Sequence, residues 1–240
     1  MQNTCIIIPC YNEDERLDSK KFLQFLSQNE YHFCFVNDGS EDRTYDLIVA
    51  IQDAFPDKVT IVNLSRNRGK GEAVRQGFLD AEATGKFDYI GYFDADLATP
   101  LEEISYLKGY FQKDYKIIIG SRVKRLGAEI TRNSLRHYLG RVFATVASIH
   151  LGIKVYDSQC GAKIFSCDMA KILFKEEFVT KWLFDLELIY RLKKYSPSDF
   201  EKDILEVPLR IWKEKKNSKM KVIDFILAPF DLYKIKKASS

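Results

Sequence analysis

Over the first 120 residues, short apolar runs alternate with longer segments of helical period. The runs at 4–8, 32–36, 59–64, 89–93 and 116–120 are nearly unbroken, the pattern of strands buried on both faces. Between them, 17–27, 42–55, 70–83 and 102–111 read as helices; in 42–55, Tyr45, Ile48, Val49 and Phe55 fall near one side. Strands alternating with helices predict an α/β fold with a mostly parallel central sheet flanked by helices. Ligands of such sheets bind beyond the carboxyl ends of the strands. The polar clusters of this half, at 9–13, 37–40, 65–70 and 94–96, fall at those ends.

After residue 120 the pattern changes. Arg122, Lys124, Arg125, Arg132, Arg136 and Arg141 form a basic stretch opposed only by Glu129. A helix is predicted over 134–150, with Leu135, Leu139, Val142, Phe143, Val146 and Ile149 as its apolar side. Short strands predicted at 153–155 and 162–165 flank Asp157-Ser158-Gln159-Cys160-Gly161, and a helix at 182–194 and a strand at 204–208 follow. The expected organisation is one domain over 1–215, with halves 1–120 and 121–215, and a basic amphipathic tail over 216–240. The tail joins Lys213, Lys215, Lys216, Lys219 and Lys221 to an apolar stretch at 222–230. A basic cluster beside apolar residues suits either contact with an anionic membrane surface or an amphipathic helix packed on the domain.

Composition narrows the class. A chain of 240 residues with 46% hydrophobic residues can bury a sizeable core, and a formal charge of +3 gives no reason to expect a nucleic-acid partner. No apolar run reaches the roughly 18 to 20 residues that span a bilayer. The five cysteines form no C-x-x-C pair, which with the lack of a signal peptide fits a reduced, cytoplasmic protein, soluble or peripheral on a membrane. Cys5, Cys10 and Cys34 lie in or beside apolar strands and are expected in the core.

The candidate chemistry begins with Asp94-Ala95-Asp96, two carboxylates at the end of the run 89–93. Hard oxygen ligands spaced in this way can hold Mg²⁺ or Mn²⁺ against a diphosphate. Pro9, Tyr11 and Glu13 end the first strand with a ring that can stack on a nucleobase and a carboxylate that can accept from its N–H. Asp38 ends the second, followed by Gly39 and the potential helix cap Ser40. Asn67-Arg68-Gly69-Lys70-Gly71 is a basic, glycine-rich turn that offers N–H groups and cations to an anion. It matches neither the G-x-x-x-x-G-K-[ST] loop nor the G-x-G-x-x-G fingerprint, which disfavours an ATPase or a dinucleotide dehydrogenase. A nucleotidyltransferase is disfavoured because its glycine-rich signature near the first strand is missing. A non-catalytic nucleotide-sugar binder is disfavoured by the retention of Asp94, Asp96 and Asp185.

In order and content these motifs resemble the family 2 inverting glycosyltransferases of the GT-A fold. Gly120-Ser121-Arg122, the segment from Asp157 to Lys163, and Trp182-Leu183-Phe184-Asp185-Leu186-Glu187-Leu188 narrow the resemblance to the dolichyl- and polyprenyl-phosphate β-glucosyltransferases, with dolichyl-phosphate mannose synthases more distant. The resemblance covers roughly residues 4 to 215. It implies a nucleotide-base pocket at Pro9, Tyr11, Glu13 and Asp38, a donor-site lysine at Lys70, and a metal and diphosphate site at Asp94 and Asp96. It also implies an arginine, Arg122, facing the acceptor phosphate or the donor diphosphate. Asp185 and Glu187 match the acidic helix start where many members place a catalytic base, while Gln159 receives no role. Where mannose synthase relatives carry a further polar metal contact, this chain has Ala98. The expected reaction moves a hexose, glucose from UDP-glucose first, to a polyprenyl phosphate, with Mg²⁺ or Mn²⁺ as cofactor. A polyprenyl phosphate is already anionic and needs positioning by Arg122, Arg132 and Arg136 more than it needs a base. GDP-mannose as donor, or a hydroxyl-bearing glycan acceptor with Asp185 as base, is the alternative.

Overall fold

The computed structural model describes residues 3–132, 134–215 and 222–238; the side chains at 134–140, 142–143 and 222–228 also lie outside the described residues. Five strands of the first half, β1 (Thr4–Cys10), β2 (His32–Asp38), β3 (Val59–Leu64), β4 (Tyr89–Phe93) and β5 (Ile117–Ser121), alternate with helices α1 (Ser19–Gln28), α2 (Thr44–Ala54), α3 (Lys70–Ala83) and α4 (Glu102–Lys108). The second half adds β6 (Glu129–Thr131), α5 (Ser134–Leu151), β7 (Ala162–Ser166), α6 (Cys167–Leu173), α7 (Phe184–Tyr195), α8 (Phe200–Asp203), β8 (Ile204–Pro208), β9 (Ile211–Lys213) and α9 (Val222–Ala238). A seven-stranded sheet runs in the order β3-β2-β1-β4-β7-β5-β8, and β6 pairs with β9 in a separate two-stranded sheet.

Alternation along β1 fixes the two faces of the sheet. Cys5 and Ile7 point into one apolar cluster with Val74 and Phe78 of α3 and Leu186 and Ile189 of α7. Ile6, Ile8 and Cys10 point into the other, with Phe22 and Leu26 of α1, Ile48 of α2 and Ile104 of α4. Both sides of each central strand are therefore covered, which is why the strands read as continuous apolar runs. Cys5, Cys10 and Cys34 are buried, as expected.

The sheet is parallel except for β7, which runs antiparallel to both β4 and β5. That single reversal matters for the site. It brings the segment preceding β7 to the carboxyl ends of its neighbours, and the pairing of Phe93 with Ala162 sets Gly161 beside Asp94. Strand order also reverses around β1, with β2 on one side and β4 on the other, so a crevice opens there.

Four expectations need correction. Residues 153–155 form no strand: the Ile153 N–H donates to the Ser148 carbonyl at 2.9 Å and Ser148 Oγ donates to the Val155 carbonyl at 3.2 Å, so this backbone is tied back to α5. The helix expected over 102–111 ends at Lys108 and continues as a 3-10 turn, Gly109–Lys113, closed by Asp114 at φ 63°. Among the described side chains of α5, Ala144, Ala147 and Leu151 are buried, whereas Val146 and Ile149 are 52% and 77% exposed; the side chains of Leu135, Leu139, Val142 and Phe143 lie outside the described residues. Helix α9 packs against α5, and its Leu232 and Ile235 are buried in the same cluster as Ala147 and Leu151. In α2, likewise, Ile48 and Ile51 carry the packing and Tyr45 is exposed.

Candidate active site

The carboxyl ends of β1, β2, β4 and β5 open into one cavity of about 790 Å³. Pro9, Tyr11 and Glu13 line it from β1, Asp38 from β2, Lys70 from the start of α3, Asp94 and Asp96 from beyond β4, and Arg122 from beyond β5. The sequence motifs therefore converge although they are spread over more than 100 positions.

The chain turns tightly after β4. The Leu97 N–H donates to the Asp94 carbonyl at 3.2 Å, Leu97 adopts φ 52°, and the Ala98 N–H donates to Oδ1 of Asp96 at 3.0 Å. Asp94 is held from two further directions. Its N–H donates to the Gly161 carbonyl at 3.1 Å, and its carboxylate rests on the Gly161 α-carbon, where a Cβ would lie 1.9 Å from Oδ2. Its other oxygen, Oδ1, is 2.6 Å from Nζ of Lys70. Burial opposes the Lys70 charge, yet Asp94, then Asp185 and Asp96, hold the ammonium above the ordinary lysine range. Burial and then the charge of Asp94 push the Asp96 carboxyl above its ordinary value, while the Ala98 N–H and Arg16 work the other way. Two mutually repelling carboxylates are a hard-oxygen donor set that suits Mg²⁺ or Mn²⁺. Among the described residues no group of three or more His, Cys, Asp or Glu is placed to hold a metal.

Asp38 and Glu13 are buried and committed to the scaffold. The Asp38 oxygens accept from the N–H groups of Arg68 at 2.7 Å and Gly69 at 2.9 Å, which fixes the glycine-rich turn. Burial raises the Asp38 pKa and these two bonds partly offset the rise. Gly69 adopts φ 94°, a conformation that suits glycine, and releases α3 with Lys70 facing the cavity. The Glu13 N–H donates to Thr44 Oγ1 at 2.7 Å, and its carboxylate pairs with Arg16.

Asp185, the expected base, lies at the start of α7 and is only 3% exposed. Its Oδ1 accepts from the Tyr92 hydroxyl and pairs with Nζ of Lys163. Lys163 is 1% exposed, donates also to the Cys160 carbonyl at 2.7 Å, and lies 5.3 Å from the Tyr92 ring centroid. The carboxylate is thus an ion-paired member of a buried network on the cavity wall. Glu187 is turned away: it pairs with Arg191 at 2.7 Å and accepts from the Val179 N–H, holding the loop before α7.

Arg122 is also committed. Its Nε and Nη2 donate to Oδ2 and Oδ1 of Asp157, each at 2.6 Å, its N–H donates to Oδ2 at 3.0 Å, and its guanidinium lies 5.3 Å from the Trp212 ring centroid. Burial works against ionisation of Asp157, but Arg122 brings its pKa down to about 2. This bidentate pair leaves one edge of the guanidinium for a ligand. Arg132 and Arg141 line the same cavity, with Arg141 stacked 3.6 Å from the Tyr156 ring centroid. Burial and then Arg122 lower the Arg132 pKa, while Asp157 and Glu214 work the other way. The Arg136 side chain lies outside the described residues.

Sequence reasoning missed Lys163, Tyr92, Asp157 and Trp212 as parts of the site. A lysine inside the apolar run Ala162–Ser166 was the available signal for Lys163. Asp157 stands in a motif the sequence does show, but its partnership with Arg122, like the places of Tyr92 and Trp212, depends on residues distant in the chain.

Residues 5–174 match the family described as glycosyl transferase family 2. The chain is 32% identical to a dolichyl-phosphate beta-glucosyltransferase of Trichomonas vaginalis, covering 97% of this chain and 70% of the relative. It is 33% identical to the dolichyl-phosphate beta-glucosyltransferase of Saccharomyces cerevisiae, covering 97% of this chain and 74% of that one. Among solved structures it resembles glucosyl-3-phosphoglycerate synthase from Mycobacterium tuberculosis, crystallised with Mn²⁺, UDP-glucose and phosphoglyceric acid. That likeness has a TM-score of 0.70 at 15% identity, over 99% of this chain and 79% of the other, and it speaks to the fold.

Proposed function

The chain belongs to glycosyl transferase family 2 and has the GT-A fold, and from that premise we propose that it transfers glucose from UDP-glucose to a polyprenyl phosphate of the dolichyl type, with inversion at the anomeric carbon. The observation that carries this reading is the union, in one cavity, of the Asp94–Asp96 pair with the cluster Arg122, Arg132 and Arg141. Acids that can hold a metal against a diphosphate stand beside cations that can hold a second phosphate. The relatives from Trichomonas vaginalis and Saccharomyces cerevisiae are named dolichyl-phosphate beta-glucosyltransferases, which supports glucose as the sugar and a dolichyl-type phosphate as the acceptor.

In this reading Tyr11 and the β1 end receive the base, and Lys70 and the N–H groups at the start of α3 face the diphosphate. Asp94 and Asp96 hold Mg²⁺ or Mn²⁺, which when bound supplies charge that stabilises the departing nucleoside diphosphate. The arginines fix the acceptor phosphate so that its oxygen lies in line with the anomeric carbon. That oxygen is already anionic, so no residue must remove a proton. The pairing of Asp185 Oδ1 with Lys163 and Tyr92 agrees with this economy, since it suits Asp185 to orienting a bound group more than to general-base work. At α9, the exposed Phe230 and Tyr233 beside Lys234, Lys236 and Lys237 would bring the site to the anionic membrane surface where such an acceptor resides.

The test is transfer of labelled glucose from UDP-glucose with Mn²⁺ and a short polyprenyl phosphate. Label should enter the organic phase with matching UDP release, and Asp96→Ala should abolish both. Label that remains in water, or GDP-mannose outcompeting UDP-glucose, would refute this assignment.

A further inference from the structure

The Asp94 carboxylate has little freedom to serve two cations. Oδ2 is seated against Gly161, where even a methyl group would lie at 1.9 Å, and Oδ1 lies 2.6 Å from the Lys70 ammonium. The ammonium in turn stands 6.0 Å from the Tyr92 ring centroid and 5.8 Å from that of Phe184, so its bed is aromatic on one side and anionic on the other. Resting on the reading of Asp94 and Asp96 as the metal-binding pair, we propose that Lys70 is a resident counter-ion which a divalent cation must displace, so that metal is taken up together with the nucleotide diphosphate and not before it.

The argument is one of charge and space. An ammonium and a divalent ion that share one carboxylate oxygen stand only a few ångströms apart and repel. Turning of the Asp94 carboxylate is blocked on the side where it lies against the Gly161 backbone. A diphosphate changes the balance in two ways. It offers Lys70 a new anion to follow, and it adds oxygen ligands to a site where this chain supplies two carboxylates. Metal and nucleotide then strengthen each other's binding by the same factor, since coupling between two ligands is reciprocal. Lys70 sets the size of that factor, a positioning role distinct from contact with the sugar.

The experiment measures Mn²⁺ binding to the full chain by electron paramagnetic resonance of the free ion, with and without UDP. Lys70→Met should bind Mn²⁺ alone more tightly than wild type, by about 5- to 150-fold, the usual span of a coupling between sites. The enhancement of Mn²⁺ binding by UDP should shrink in that variant. Lys70→Gln keeps a polar chain and should behave alike, which separates lost charge from altered packing. Gly161→Ala, which pushes Asp94 off its seat, should weaken Mn²⁺ binding both with and without UDP. Mn²⁺ affinity that is unchanged, weaker or absent in both Lys70 variants would overturn the proposal. Failure of glucose transfer would leave these ion affinities standing, and unchanged ion affinities would leave transfer standing, so the two readings fail separately.

Discussion

Arg122 and Asp157 stand 35 positions apart, and only the fold reveals that each is the other's partner. The pair makes a clear energetic prediction. Asp157→Asn removes the charge but leaves the buried guanidinium, and an unmatched buried charge costs about 3–5 kcal/mol. Urea denaturation at pH 7 should show a loss of that order. The pH dependence follows from the direction of the shift. The folded pKa of Asp157 is depressed to about 2 from an ordinary 3.8, so its stabilisation is present above the ordinary value and is lost as pH falls through about 2. The gap between wild type and Asp157→Asn should therefore hold steady from pH 7 to about 4 and narrow below. A gap that is the same at pH 3 as at pH 7 would assign the loss to packing. The sequence motif around Asp157 was visible, but its job was not: the segment serves mainly by pinning Arg122 through Asp157 and seating Asp94 on Gly161.

At the scale of elements, the strands and helices of the first half are legible because each central strand is covered on both faces and each helix shows one apolar side. The misreadings came where neighbours override local pattern, as in α5, whose alanines face the core and whose Val146 and Ile149 do not. Helix α3 shows the same override at Gly77. By helix propensity alone, Gly77→Ala should stabilise by roughly 1 kcal/mol. A Cβ there, however, would lie 2.7 Å from Cγ2 of both Ile7 and Val36, on β1 and β2. Overpacking of this kind costs about 1–3 kcal/mol, so the expected net effect is destabilising, by about 1 kcal/mol. Gly109, at the end of α4, has nothing within 4 Å of its would-be Cβ. Gly109→Ala should therefore stabilise, by about 0.4–1 kcal/mol, through the less flexible unfolded chain. Thermal unfolding of the two variants should move the midpoint in opposite directions; a rise for both would mean that α3 can shift away from the sheet at little cost.

For the molecule as a whole, the net charge of +3 is too small to drive binding to an anionic surface, so any such contact must come from a local patch. No helix among the described residues is long and apolar enough to cross a membrane. Helix α9 joins exposed rings, Phe230 at 68% and Tyr233 at 62%, to Lys234, Lys236 and Lys237, while Leu232 and Ile235 anchor it to the domain. The sequence pattern of this stretch left a packed helix and a membrane-facing one open; Lys216, Lys219 and Lys221 lie outside the described residues, and among the described side chains of α9 Leu232 and Ile235 are buried while Phe230, Tyr233 and the lysines are exposed. If the acceptor is a lipid, the outward side is where its surface would be met. Binding to vesicles containing anionic lipid should then fall with added salt, as screened lysines lose their attraction. Replacing Phe230 and Tyr233 together by serine should weaken vesicle binding by at least about tenfold, given the transfer free energy of an aromatic side chain. Because both rings are exposed, the thermal midpoint should not fall with it. Vesicle binding that survives the double replacement would move the membrane contact elsewhere on the molecule, and a fall in the midpoint would show that the rings support the fold.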